Sequence, residues 1–157
     1  MIFLKLRSSY RNCDSIVKLF TTDASDMRAV MERSRIIIKE HGYERNIILD
    51  DRARWTFGRK AGKWEPDISV SAAYVSRMHG EFCCINGVWM YFDRGSSNGT
   101  YVNGRILKPG IGGSVRPHVL QNGDVLCVDI SAPENLEPED ISEEGLWIKY
   151  LECEDDC

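Results

Sequence analysis

The sequence predicts an all-β sandwich that follows a short N-terminal extension made of a strand and a helix. From residue 34 onward, short β-branched and aromatic runs alternate with turn residues at fairly regular intervals, as in sandwiches and barrels. Asn-Gly pairs that begin at Asn86, Asn103 and Asn122 stand between apolar runs and predict hairpin turns. The chain of 157 residues is long enough for one domain with its own core and some extension.

Residues 1–33 are interpreted as an extension that packs on the sandwich or on a partner. The stretch IFLKL alternates like a strand, and Thr22 or Asp23 is a suitable N-cap for a following helix. One face of that helix carries the apolar residues Met27, Val30 and Met31. The alternative is a helix that continues through Ile38, because three consecutive isoleucines disfavour a helix without forbidding it.

Eleven candidate strands follow between residues 34 and 152. In order they are RIIIKE, YERNIILD, RWTFG, DISV, HGEFCCI, VWMYFD, TYV, RIL, SVRPHVL, DVLCVD and LWIKYLE. Residues 131–145 hold two prolines and six acids with little apolar content, so they are predicted to form a solvated loop before the last strand. Residues 153–157 form a short acidic tail.

Composition argues against several classes of protein. The longest run without a charged residue, Phe82 to Phe92, has eleven residues, whereas a membrane helix needs about 20. The N-terminus lacks the apolar core of a secretory signal, so a cytoplasmic location is expected, with a nuclear one left open. The spacing of the six cysteines does not suggest a zinc site, and disulfides are not expected without a sign of secretion.

The net charge of −4 is unevenly distributed along the chain. Residues 1–130 have a net charge of +5, whereas residues 131–157 have one basic residue against ten acidic ones. A mildly basic body suits an anionic partner. It falls well short of the basic surface expected of a nucleic-acid-binding protein, and no nucleic-acid or membrane partner is predicted.

Four short segments carry the functional information: FGRK at 57–60, SRMH at 76–79, SSNGTYVNG at 96–104 and LQNGDVL at 120–126. Each one is weak by itself. In this order on a β-rich chain, together with Asp67-Ile68, they resemble the forkhead-associated (FHA) domain, a module that binds phosphothreonine. The resemblance covers roughly residues 34–152.

The resemblance implies a sandwich of two twisted antiparallel sheets with about eleven strands, and a ligand held by loops at one end. It implies a non-catalytic signalling adaptor that binds a phosphothreonine-containing protein, either a substrate of a Ser/Thr kinase or the kinase itself. No cofactor and no metal are implied, and a monomer is expected. Four charged hydrogen bonds of about 1.5–3 kcal/mol each, less the cost of ordering a peptide, predict roughly micromolar affinity.

Five residues match the ligand-binding positions of the family: Arg59, Ser76, Arg77, Ser97 and Asn98. A phosphate dianion requires arginine, hydroxyl donors and free backbone amides. Arg59 and Ser76 are therefore predicted phosphate ligands, with Arg77 as a second cation and Ser97 as a phosphate or loop contact. The side-chain amide of Asn98 is predicted to bond the peptide backbone.

Five further residues are predicted to shape the site: Gly58, His79, Gly99, Thr100 and Asn103. The histidine of the family is structural, so His79 is predicted to connect neighbouring loops. Gly99 permits a close backbone approach that a Cβ would block. The sequence departs from some relatives at Tyr74, where they have a basic residue, and the preference for the third residue after phosphothreonine is not assigned.

Other interpretations remain open. The same fold could assemble with partners independently of phosphate, through another surface such as residues 1–33. An enzyme would use Ser76 and His79 with Asp93 as the orienting acid, but no complete catalytic constellation is evident. Self-association through a phosphorylated Thr21 or Thr22 is a further alternative to a monomer.

Overall fold

A computed structural model describes residues 34–49, 52–107, 116–128 and 145–152. These residues contain no α-helix, and therefore none that could cross a membrane. They form eleven strands: β1 Ser34–Glu40, β2 Tyr43–Ile48, β3 Arg54–Arg59, β4 Ile68–Val70, β5 Gly80–Ile85, β6 Val88–Asp93, β7 Tyr101–Val102, β8 Arg105–Ile106, β9 His118–Val119, β10 Val125–Cys127 and β11 Leu146–Glu152.

Several predictions lie outside the described residues. They concern the extension at 1–33 with Thr21 and Thr22, the acidic loop up to residue 144, and the tail at 153–157. The proposed division of the chain into these parts stays a prediction.

The strands form two sheets that pack as a sandwich. The order in the six-stranded sheet is β2-β1-β11-β10-β7-β8, and in the five-stranded sheet it is β4-β3-β5-β6-β9. The predicted all-β class and the number of strands are confirmed. The expectation of purely antiparallel sheets needs one correction, because β3 and β4 pair in parallel, with Phe57 opposite Ile68 and Arg59 opposite Val70. A hairpin cannot join parallel strands. Residues 60–67 instead return the chain to the end of the sheet where β3 begins.

The first strand decides between the two interpretations of the isoleucine run. Ser34, Ile36 and Ile38 are buried while the residues between them are only partly buried, which is the period of two that a strand requires. β1 pairs with β11 on one side and β2 on the other. The strand prediction is confirmed, and the alternative of a helix through Ile38 is wrong because the tertiary pairing outweighs any local helical preference.

The core lies between the two sheets. Its largest fully buried side chains come from both of them: Trp89, Tyr91, Tyr150, Phe57, Phe82, Ile36, Ile38, Leu49, Ile68, Leu126, Leu146 and Ile148. A core of this size fixes the strand ends, so the loops that leave those ends start from rigid positions.

The cysteines of β5 face opposite sides of their sheet. Cys84 joins the main core and is free, and burial raises the pKa of its thiol to about 11. Cys83 belongs to a second small apolar cluster with Ile85 and Phe92 on the outer face, and it is disulfide-bonded. The expectation that the chain has no disulfide is therefore wrong for Cys83, whose side chain points away from the core that encloses Cys84.

A buried carboxylate, Asp124, holds two turns together directly before β10. Asp124 accepts hydrogen bonds from Asn103 Nδ2 at 2.8 Å, His118 Nε2 at 2.7 Å and the backbone N–H of Gln121 at 2.9 Å. Burial by itself raises the pKa of Asp124, but these bonds and the charge of His118 outweigh it and bring the pKa below its ordinary value. The network joins the β7–β8 and β9–β10 turns.

We expect Asp124→Ala to lower the free energy of unfolding by about 1–3 kcal/mol at pH 7, because it leaves buried donors without an acceptor. The pKa of Asp124 is lower in the folded chain than in the unfolded one. Its stabilisation is therefore full above the unfolded value of about 3.9 and is lost as the pH falls through the folded value. Urea unfolding of wild type and variant at pH 7 and near pH 2 tests this. An equal difference at both pH values would contradict the prediction.

Candidate functional site

Three connections meet at one end of the sandwich, where β3, β4 and β6 end and β5 and β7 begin. They are the turn between β3 and β4 at residues 60–67, the β4–β5 loop at residues 71–79 and the β6–β7 loop at residues 94–100. The structure places eight of the ten predicted site residues in the β4–β5 and β6–β7 loops or directly beside them. The ninth and tenth, Gly58 and Asn103, lie on β3 beneath the β4–β5 loop and in the β7–β8 turn.

The β4–β5 loop is held by its carbonyl groups. Four consecutive carbonyl oxygens each accept a hydrogen bond from the body of the protein: Tyr74 O from Asn98 Nδ2, Val75 O from Arg59 Nε, Ser76 O from Arg59 N and Arg77 O from Trp64 Nε1, at 2.7, 3.1, 3.0 and 2.9 Å. The donors come from β3, the β3–β4 turn and the β6–β7 loop. These bonds therefore fix the backbone of the loop that carries Ser76 and Arg77.

Gly58 explains how the loop can lie so close to β3. A Cβ at this position would overlap the carbonyl oxygen of Arg77 and stand 2.8 Å from its carbonyl carbon and 2.9 Å from Ser76 O. Only a residue without a side chain leaves room for this approach. The predicted structural role of Gly58 therefore corresponds to direct contact with the loop that carries Ser76 and Arg77.

Ser76 and Ser97 join the two loops at the solvent side. The backbone N–H of Ser97 donates to Ser76 Oγ at 3.0 Å, and the two hydroxyl oxygens are 3.5 Å apart. Both side chains retain access to solvent. The pair places two hydroxyl groups within reach of one small anion.

Two arginines lie next to Ser76: Arg59, whose backbone N–H donates to Ser76 O, and Arg77, the following residue in the chain. Arg59 uses Nε to bind Val75 O, and its terminal nitrogens have no hydrogen-bond partner among the described residues. The side chain of Arg77 is exposed and makes no ion pair within that part of the chain. Because neither group is neutralised there by a carboxylate, both are suited to a bidentate contact with an oxyanion.

His79 is fully buried beneath the two serines. Its Nδ1 accepts the backbone N–H of Ser76 at 3.1 Å, so the ring proton is on Nε2, which donates to Thr100 Oγ1 at 3.2 Å. Burial lowers the pKa of His79, while the carboxylate of Asp93 acts in the opposite direction. The neutral imidazole thus links the β4–β5 loop to the β6–β7 loop, in agreement with the geometry predicted for it.

Asp93 organises the β6–β7 loop from the end of β6. One carboxylate oxygen accepts the backbone N–H groups of Gly95 and Ser96 at 2.9 and 2.8 Å. The other accepts the hydroxyl groups of Ser96 and Thr100 at 2.6 and 2.8 Å. Tyr91 then donates its hydroxyl proton to Thr100 Oγ1 at 3.0 Å, so the hydroxyl groups of this corner are all paired.

Three of the remaining predicted residues have more specific surroundings than expected. Asn98 donates its amide nitrogen to Tyr74 O, which leaves Oδ1 as the part of its side chain suited to a ligand. Gly99 adopts a φ of +75° and lies against Ile106, so a side chain there would be strained and crowded. Asn103 has a φ of +49° and binds Asp124 and Val125 N, and so stabilises a turn on the far side of β7 from Thr100.

Sequence reasoning missed two residues that hold the β4–β5 loop. Trp64 projects from the β3–β4 turn, where a bridge between Ala61 and Trp64 fixes the backbone, and its indole N–H reaches Arg77 O. Glu40, the last residue of β1, binds the start of the loop at Ser71 and Ala72. Neither residue belongs to a motif, because each acts across a long separation in sequence.

Comparison with known families and structures agrees with the resemblance to the FHA domain. The sequence model of the FHA domain matches residues 55–128. That range runs from β3 to the end of β10 and includes every predicted site residue. The motif-based resemblance is confirmed. A comparison with curated proteins gives no match.

Solved structures with the same fold include FHA domains from several organisms. The FHA domain of an Arabidopsis thaliana hypothetical protein has a TM-score of 0.58 and 20% identity, covering 88% of this chain and 98% of its own. The FHA domain of the CT664 protein from Chlamydia trachomatis has a TM-score of 0.57 and 17% identity, covering 78% and 99%. The N-terminal FHA domain of S. cerevisiae Rad53p, solved with a phosphothreonine peptide, has a TM-score of 0.54 and 20% identity, covering 76% and 93%. At these identities the likeness concerns the fold.

Proposed function

We propose that this chain, whose residues 55–128 match the FHA domain, is a protein-interaction module that binds phosphothreonine in a partner protein. The observation that carries the proposal is the arrangement around Ser76 and Ser97. The hydroxyl oxygens of these serines lie 3.5 Å apart at the solvent side of two loops, and beside Ser76 are two arginines, Arg59 and Arg77, that make no ion pair among the described residues. A phosphate dianion satisfies these donors, and a neutral hydroxyl group does not.

The ligand is proposed to be an extended peptide that carries the phosphate on a threonine. The serines and arginines would bind the phosphate, and Asn98 Oδ1 would accept a backbone N–H of the peptide. One of the structures with the same fold, that of S. cerevisiae Rad53p, contains a phosphothreonine peptide, which supports this choice of ligand. The partner is then a Ser/Thr kinase or a protein that such a kinase phosphorylates.

The geometry at Ser76 supports binding rather than catalysis. A serine nucleophile needs a base that takes its hydroxyl proton. The nitrogen of His79 that is closest to Ser76 instead accepts the backbone N–H, and the imidazole is fully buried. His79 is therefore placed to fix the shape of the loop.

Ser76→Ala provides the direct test. We expect it to weaken binding of a phosphothreonine peptide by about 10- to 100-fold, because one charged hydrogen bond contributes about 1.5–3 kcal/mol. The measurement is isothermal titration of wild type and variant with the best peptide from a degenerate phosphothreonine library. Ser69→Ala, a serine on β4 whose hydroxyl has no hydrogen bond among the described residues, serves as the matched control.

The unphosphorylated form of the same peptide completes the experiment. We expect it to bind at least 100-fold more weakly than the phosphorylated form. Equal affinity for the two forms would overturn the proposal and favour assembly that does not depend on phosphate. Turnover that disappears in Ser76→Ala would instead favour an enzyme.

A further inference from the structure

Glu40 binds the β4–β5 loop from the opposite sheet. It is the last residue of β1 in the six-stranded sheet, whereas the loop comes after β4 at the edge of the five-stranded sheet. Its Oε1 accepts the backbone N–H of Ser71 at 2.7 Å, the hydroxyl of Ser71 at 2.9 Å and the backbone N–H of Ala72 at 2.8 Å. One carboxylate oxygen thus fixes the first corner of the loop.

This corner leads directly into the part of the loop that carries Ser76. The side chain of Ala72 is buried in the core, and the carbonyl of Ala72 accepts the backbone N–H of Val75, whose side chain is buried as well. Ser76 is the next residue after this turn. The position of the Ser76 hydroxyl therefore depends on the corner that Glu40 holds, as well as on His79 at the far end of the loop.

A carboxylate is suited to this task despite the anionic ligand proposed nearby. Its three bonds are charge-assisted, and such bonds are shorter and about twice as strong as neutral ones. The side chain of Glu40 is only 15% exposed, so water competes weakly for the same donors. Its charge is directed at Ser71 and Ala72, at the opposite end of the loop from Ser76 and Arg77.

We propose that Glu40 is a positioning residue of the phosphopeptide site: it orders the β4–β5 loop in advance so that Ser76 and Arg77 meet the ligand without a further loss of loop entropy. The proposal rests on the function proposed above for the same site. It implies that the six-stranded sheet contributes to ligand affinity although it supplies no ligand contact. Preorganisation of this kind increases affinity by lowering the entropic cost of binding.

The test compares Glu40→Ala and Glu40→Gln with wild type in the full chain. We expect Glu40→Ala to weaken binding of the selected phosphothreonine peptide about 10-fold. Glu40→Gln keeps an acceptor in place. The change that it causes in the logarithm of the dissociation constant should therefore be less than half of the change caused by Glu40→Ala. Glu44→Ala, which removes an exposed carboxylate on β2, is the matched control and should leave affinity within twofold.

Hydrogen exchange without ligand separates positioning from a general loss of stability. We expect amides of residues 71–77 to exchange at least 10-fold faster in Glu40→Ala, while amides of the β5–β6 pair keep their wild-type rates. Unchanged exchange in residues 71–77, or faster exchange with unchanged affinity, would overturn the proposal. If Glu40→Ala does not fold, Glu40→Gln and Ser71→Ala carry the same two measurements.

The outcome also distinguishes this proposal from the proposed function. A wild-type protein that binds no phosphothreonine peptide would overturn the function, whatever the exchange rates are. A wild type that binds tightly, together with a Glu40→Ala variant of equal affinity, would overturn only the role of Glu40. A double-mutant cycle of Glu40→Ala with Ser71→Ala should give less-than-additive losses of affinity, because both remove the same corner.

Discussion

Arg59→Ala is expected to reduce affinity for the phosphothreonine peptide by at least 100-fold. The terminal nitrogens of Arg59 have no partner among the described residues, so they are available for two charge-assisted bonds to the phosphate. Two such bonds contribute about 3–6 kcal/mol, which corresponds to a factor of more than 100 in the dissociation constant. The replacement also removes the bond from Nε to Val75 O, but an alanine keeps the backbone bond from residue 59 to Ser76 O.

The variant should nevertheless remain folded. Arg59 is only partly buried, and we expect the free energy of unfolding to fall by about 1 kcal/mol for the single lost side-chain bond. Titration with peptide and urea unfolding measure the two effects separately. Lys60→Ala removes the neighbouring cation, which is paired with Glu65, and should leave the affinity within threefold.

Arg59→Lys sharpens the same experiment. Lysine keeps the positive charge but cannot make the two parallel bonds of a guanidinium group. We therefore expect an affinity between those of wild type and Arg59→Ala. An affinity for Arg59→Ala that matches wild type would show that phosphate does not bind between Arg59 and Ser76.

The strands could be predicted from the sequence because their patterns are local. Each of the eleven observed strands overlaps one predicted run, and the positive φ angles of Asn86 and Asn103 fall where Asn-Gly pairs predict hairpins. The parallel pairing of β3 with β4 could not be predicted in this way. It depends on the path of residues 60–67 between the two strands. That path is fixed by Asp67, whose carboxylate accepts the backbone N–H and the hydroxyl of Thr56 on β3.

For the candidate site, the sequence predicts a set of residues but not the contacts between them. Motif order was sufficient to select Arg59, Ser76 and Ser97, which lie together in the structure. Two of the contacts that hold the β4–β5 loop come from Trp64 and Glu40, and neither contact can be inferred from spacing. Glu40 meets Ser71 across 31 positions and from the other sheet, so only the packed sandwich brings the two together.

Asn98 is a further case in which the sequence predicts the residue but not its contacts. The motif predicts that its amide faces the bound peptide, whereas in the structure the nitrogen of that amide donates to Tyr74 O. An amide has both a donor and an acceptor, so one side chain can hold the loop and still offer Oδ1 to a ligand. The sequence cannot assign these two ends, because the assignment depends on where the Tyr74 carbonyl points.

Gly58→Ala should affect the site more severely than the size of the change suggests. The added methyl group would overlap the carbonyl of Arg77, so either β3 or the β4–β5 loop must shift. β3 is fixed between β4 and β5 within the sheet, and the loop is therefore the part that moves. Its displacement would break the bonds that Arg77 O and Ser76 O accept from Trp64 and Arg59.

We expect Gly58→Ala to reduce phosphopeptide affinity more than 30-fold and to lower the free energy of unfolding by about 1–3 kcal/mol, as overpacking does elsewhere. Titration and urea unfolding measure the two effects.

Gly123→Ala is the matched control. The new methyl group meets nothing within 4 Å in the turn before β10, although the φ of +90° at this position is unfavourable for alanine. That control should lose stability while its folded fraction binds peptide like wild type. Because both variants are destabilised, a loss of affinity confined to Gly58→Ala can be assigned to the displaced loop, and equal affinity in the two would contradict the role given to Gly58.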